Sequence, residues 1–82
     1  MEHYPAFLNL NGQPCLVVGG GKGAGRKVAT LLQAGAHVTV VSPELDHELG
    51  LTLKQYPQCT THHARKFTDD DINGAYLIIA AT

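Results

Sequence analysis

The amino-acid sequence predicts an α/β fold, a parallel sheet with flanking helices, on three observations. Short β-branched runs alternate with segments of helical periodicity, a glycine cluster separates the first run from the first helix, and the last run, residues 76–81 (YLIIAA), is apolar without alternation. Such a continuous run belongs to parallel strands covered on both faces. The strand–helix alternation itself implies right-handed crossovers, here the first half of a doubly wound sheet.

Each element has its own local reason. Pro14–Val18 (PCLVV) lies between Asn11-Gly12 and the glycines, the punctuation of a buried strand. Over residues 24–34 the apolar positions Val28, Ala29, Leu31, Leu32 and Ala34 recur at helical spacing, and Gly35 stands where a left-handed cap is wanted. His37–Val41 (HVTVV) is β-branched and stops before Pro43, which disfavours a continuing ladder. Residues 44–56 carry Leu45, Leu49, Leu51 and Leu53 and form a weaker helix interrupted by Gly50, with Pro57 beyond its end. Residues 59–63 make a short third strand. Thr68-x-x-Asp71 is helix-start capping chemistry with acids in the first turn. Residues 76–81 are the fourth strand.

Eighty-two residues make one domain, 1–82, and 44% hydrophobic with 16% charged is the balance of a globular chain rather than a disordered one. A domain this short buries only roughly 60% of its unfolded surface, so its core is thin. Six Lys and Arg against seven Asp and Glu leave a formal charge of -1, which gives no electrostatic footprint for nucleic acid or for an anionic membrane. Cys15 and Cys59 form no CxxC pair, so neither a disulfide framework nor a zinc knuckle is indicated. Residues 1–10 lack the basic and apolar regions of a secretion signal, and no apolar run approaches the roughly 20 residues that span a bilayer. The expectation is a cytoplasmic protein with no nucleic-acid or membrane partner.

Five of the nine glycines fall within residues 19–25. Gly19-x-Gly21-x-x-Ala24 fits the dinucleotide fingerprint of a Rossmann-like fold in its Ala-terminated form. Gly19 serves the tight turn, Gly21 the approach of the pyrophosphate, and Ala24 the helix–strand packing. Lys22, Arg26 and Lys27 are half of the chain's cations, and Arg26 and Lys27 are expected in a first helical turn whose dipole disfavours them, a conflict that an anion removes. The plainer reading is a tight turn beside a solvated cationic face; the strand–turn–helix context favours phosphate binding. Gly20-x-x-x-x-Gly25 also approaches the nucleoside triphosphate P-loop, but Arg26 and Lys27 stand where that loop needs Lys and then Ser or Thr. At the end of the second strand Ser42 can meet a ribose hydroxyl and Glu44 can accept from it, whereas no Arg awaits a 2′-phosphate, which favours NAD over NADP. Ser42 and Pro43 also read as an N-cap and first residue of the following helix.

Taken together, YPAFLNLNGQPCLVVGGGKGAGRK, LLQAGAHVTVVSPEL and LIIAAT resemble the N-terminal NAD-binding domain of siroheme synthase and the related precorrin-2 dehydrogenases over nearly the whole chain. The resemblance implies oxidation of precorrin-2, a tetrapyrrole, to sirohydrochlorin with NAD, and in bifunctional members insertion of ferrous iron to give siroheme. It implies a phosphate loop of Gly19, Gly20 and Gly21, backbone contacts from Lys22 and Gly23, an adenosine side lined by Pro43 and Glu44, and Thr82 in the cofactor set. Gly23 and Gly25 depart from the family pattern, each costing the helix start about 0.5–1 kcal/mol relative to Ala. By the same resemblance the catalytic aspartate, the homodimerising segment and the tetrapyrrole-binding helices lie beyond Thr82. The expectation is therefore a sheet truncated after its fourth strand, no catalytic residue within 1–82, and an exposed apolar edge at residues 77–79. Two other readings stay open: a stand-alone NAD(H)-binding regulatory module without catalysis, and a chain with no ligand. His62 and His63 beside Arg65 and Lys66 suggest metal or tetrapyrrole-carboxylate binding, but adjacent strand residues point to opposite faces and do not suit one metal ion, so an exposed strand is the better reading. Cys15 and Cys59 read as small hydrophobes, and His37 and Tyr76 as packing or boundary residues.

Overall fold

The computed structural model describes residues 9–81. Residues 1–8 and Thr82 lie outside the described residues. Four strands and two helices follow in the expected order: β1 (Pro14–Val18), α1 (Lys22–Gln33), β2 (His37–Val41), α2 (His47–Gln55), β3 (Thr60–His63), a 3-10 turn (Asp69–Ile72) and β4 (Leu77–Ala80). All pairings are parallel and the spatial order is β3-β2-β1-β4.

That order explains the layering. The chain steps from β1 to β2 to β3 in one direction and then returns past β1 to β4. Right-handed crossovers therefore place α1 and α2 on one face and send the connection to β4 across the other. The register lines up His62, Val40, Val17 and Ile79 in one row and Thr60, Val38, Cys15 and Leu77 in the next. Cys15, Val17, Val38 and Val40 from these rows pack with Ala24, Val28, Leu31 and Leu49 of the helices into the main core, flanked by Leu77 and Ile79. Burial there raises the pKa of the Cys15 thiol, so it behaves as an apolar residue; both cysteines are free.

β4 is the edge strand that the sequence leads one to expect at residues 77–79, and Ile78 on the face away from the helices is 42% exposed. Its pairing bonds run one residue past each end, from Tyr76 N–H to the Pro14 carbonyl and from Ala81 N–H to the Val18 carbonyl.

Helix ends follow capping chemistry. α1 closes in a Schellman arrangement, with Gly35 at φ +83, Gly35 N–H bonded to the Leu32 carbonyl and Ala36 N–H to that of Leu31. At its other end α1 begins at Lys22, two residues before its apolar periodicity does, because Gly21 already adopts the extended N-cap conformation. Arg26 and Lys27 consequently sit in the second turn and only Lys22 in the first. α2 starts at His47, not Glu44. Its N-cap is Asp46, whose carboxylate accepts from Glu48 N–H at 3.1 Å, and Ser42 is not a helix cap. Ser42 is still bound to the sheet there, its N–H donating to the His63 carbonyl. The Thr68–Asp71 capping box forms as the spacing requires.

Candidate functional site

At the carboxyl ends of the strands, where open α/β sheets bind ligands, lies a cleft of about 560 Å³. It is lined by residues 18–21 after β1, residues 41–46 after β2, and Lys66 and Phe67 after β3.

The first wall is the glycine loop. Gly19, at φ +129, turns the chain out of the sheet while its N–H remains bonded to the Val41 carbonyl at 3.0 Å. Gly20 is the point of close approach. A Cβ there would run into the Glu44 carbonyl oxygen and come within 2.7 Å of Ser42 Oγ, so the loop abuts the turn after β2. The contact is completed by Asp46 N–H donating to the Gly20 carbonyl at 2.6 Å. Gly21 faces open space, and no side chain caps the helix it begins. The N–H groups of the first turn, those of Lys22, Gly23 and Ala24, therefore lack a side-chain cap at the positive end of the α1 dipole. Ala24 itself is wholly buried in the core, the close-packing position of the fingerprint.

The second wall is the turn at 42–46. Ser42 is 4% exposed, and its hydroxyl donates to the Glu44 carbonyl at 2.7 Å. That proton is thus committed within the protein, which leaves the Ser42 hydroxyl only as an acceptor on this wall. Pro43 and Glu44 are exposed on the cleft rim, which makes the Glu44 carboxylate an exposed acceptor at the end of β2.

Two features were not legible from spacing. His62, in the helix-facing row, reaches the Ser42 carbonyl at 3.1 Å. Among the described residues Lys66 is the one Lys or Arg lining the cleft, whereas Lys22 and Arg26 line a separate groove between α1 and α2 with Asp46 and Glu48. The signal for Lys66 was its place after a third strand, beyond the reach of the glycine fingerprint. His63 lies on the opposite, exposed face from His62, and no group of three potential metal ligands gathers among the described residues. No described helix is long and apolar enough to cross a membrane.

The uncapped helix start, the open space over Gly21 and the acidic rim fit an adenine dinucleotide. A family model described as "Putative NAD(P)-binding" matches residues 6–82. Siroheme synthase of Nitrosomonas eutropha is 45% identical over the whole chain and that of Methylobacillus flagellatus 50%. The chain spans 17% of the length of each. Among solved structures, SirC, a precorrin-2 dehydrogenase, superposes with a TM-score of 0.83 at 34% identity, over 96% of this chain and 39% of that one.

Proposed function

The chain belongs to the NAD(P)-binding family whose model spans residues 6–82, and from that premise we propose that it is the cofactor-binding portion of an NAD-dependent precorrin-2 dehydrogenase of siroheme biosynthesis. The observation that carries the cofactor part is the α1 N-terminus opening through Gly21, without a side-chain cap, onto a cleft whose far rim holds Glu44. In this reading the first-turn N–H groups of Lys22, Gly23 and Ala24 bind the pyrophosphate, Gly19 and Gly20 set the loop, and Pro43 and Glu44 line the adenosine side. Ser42 supports that side from beneath, and Thr82 joins the cofactor contacts. NAD supplies a hydride acceptor. The whole protein transfers a hydride from precorrin-2 to it, releasing a proton and giving sirohydrochlorin and NADH.

The substrate is carried by whole-chain identity to siroheme synthases and by the likeness to SirC. The proposal extends to a cytoplasmic homodimer and to ferrous iron as a second substrate, inserted into sirohydrochlorin. Titration of NADH into the protein, followed by its fluorescence in a chain without tryptophan, gives saturable binding displaced by NAD and not by ATP. The natural protein containing these residues forms NADH from NAD when given precorrin-2. NADH binding without that turnover would return the reading to a regulatory module, and a folded protein that binds no NADH would overturn it.

A further inference from the structure

We propose that Lys66 is a phosphate-binding residue of the cleft, a role that rests on reading the cleft as a dinucleotide site. Among the described residues, three with charged side chains line it: Glu44, Asp46 and Lys66. Asp46 is engaged as the α2 cap, and Glu44 adds a second negative charge on the rim. A dinucleotide is itself anionic at each phosphate, so acids and ligand repel, and the partial charge at the α1 N-terminus, about half an elementary unit, offsets this only in part. Lys22 and Arg26 of α1 do not supply the rest, since they line the groove on the α2 side. Among the described residues, Lys66 is the one Lys or Arg that lines this space.

The backbone that delivers it is held in place. Arg65 forks onto Asp71 through both guanidinium nitrogens, and its Nη1 also donates to the Lys66 carbonyl at 3.1 Å. Asp71 Oδ2 in turn accepts from Thr68 N–H at 2.8 Å. Arg65 thus anchors the segment at the carboxyl end of β3, and Lys66 beside it lines the cleft. Phosphate is the shared chemistry, and its source is either the pyrophosphate common to all the dinucleotides or the 2′-phosphate of NADP.

Fluorescence titration of NADH and NADPH, with ADP and adenosine as competitors, is made on the wild-type protein and on Lys66→Gln and Lys66→Arg, with folding checked by circular dichroism. Lys66→Gln weakens NADH and ADP about tenfold, leaves adenosine unchanged and flattens the salt dependence of binding; Lys66→Arg retains most of the affinity. Loss confined to NADPH assigns Lys66 to the 2′-phosphate. Equal affinity of wild type and Lys66→Gln for NADH, ADP and NADPH overturns the inference while leaving the dinucleotide site intact. Failure of the wild type to bind any phosphorylated ligand brings down both.

Discussion

The imidazole of His62 donates from Nε2 to the carbonyl of Ser42 across 3.1 Å, joining β3 to the residue that follows β2. Because a carbonyl only accepts, the proton must reside on Nε2. Ser42 Oγ, 3.4 Å from the same nitrogen, is left to donate to Glu44. The contacts continue from the Glu44 carbonyl to Gly20, so β3 braces the glycine loop through the turn after β2.

Removing this brace weakens cofactor binding. His62→Leu raises the Kd for NADH about fivefold, the worth of one net hydrogen bond. His62→Gln, which keeps an N–H donor, restores most of it. Titration of the two variants side by side decides the point, and equal affinities would rule the brace out.

Gly20 tolerates no side chain. Gly20→Ala must displace the turn at Glu44, which destabilises the fold by about 1–3 kcal/mol, and each kcal/mol lowers Tm by about 4–8 °C in a domain of this size. Gly21→Ala, where a Cβ meets open space, leaves Tm nearly unchanged but obstructs the ligand. A thermal melt and an NADH titration of each variant separate packing from approach.

Under the proposed reading Glu44 is expected to set the preference between cofactors. Its exposed carboxylate would accept from a ribose diol and repel a 2′-phosphate. Glu44→Ala therefore weakens NADH severalfold while NADPH holds or gains. The ratio of the two dissociation constants is the readout, and an unchanged ratio removes Glu44 from the ribose subsite.

Acid weakens the segment that carries Lys66. The Arg65 guanidinium, with Thr68 N–H behind it, holds the Asp71 carboxyl well below the usual carboxylate range. A carboxyl whose pKa is depressed on folding contributes stability above its unfolded value, about 3.9, and that contribution fades as pH falls below it towards the folded value. Asp71→Ala consequently lowers Tm at pH 7, and its difference from wild type narrows as the pH drops below about 4. Melting curves between pH 3 and 7 measure the narrowing; a constant difference would assign the effect to something other than ionisation.

β1 and β2 were legible to the residue because each is a β-branched run bounded by turn formers, and the end of α1 because Gly35 alone there accepts φ +83. The starts of both helices were not. α1 begins on Lys22 and Gly23, poor candidates by apolar spacing, since the N-cap geometry of Gly21 precedes the buried stripe. Ser42 has the chemistry of an N-cap, but burial and its bond to the Glu44 carbonyl engage it before α2 begins.

The sequence by itself determined the α/β class, the glycine loop and the acidic rim at Glu44, because those depend on periodicity and on residues close in the chain. Only the tertiary structure decided that Ser42 faces inward, that His62 supports it from twenty positions away, and that Lys66 rather than Lys22 or Arg26 reaches the cleft. Parallel pairing of β3 with β2 brings Lys66 to the strand ends, and the rotation of α1 turns Lys22 and Arg26 towards α2. Strand register and helix rotation are set by packing against the shared core, so no local pattern of residues states them.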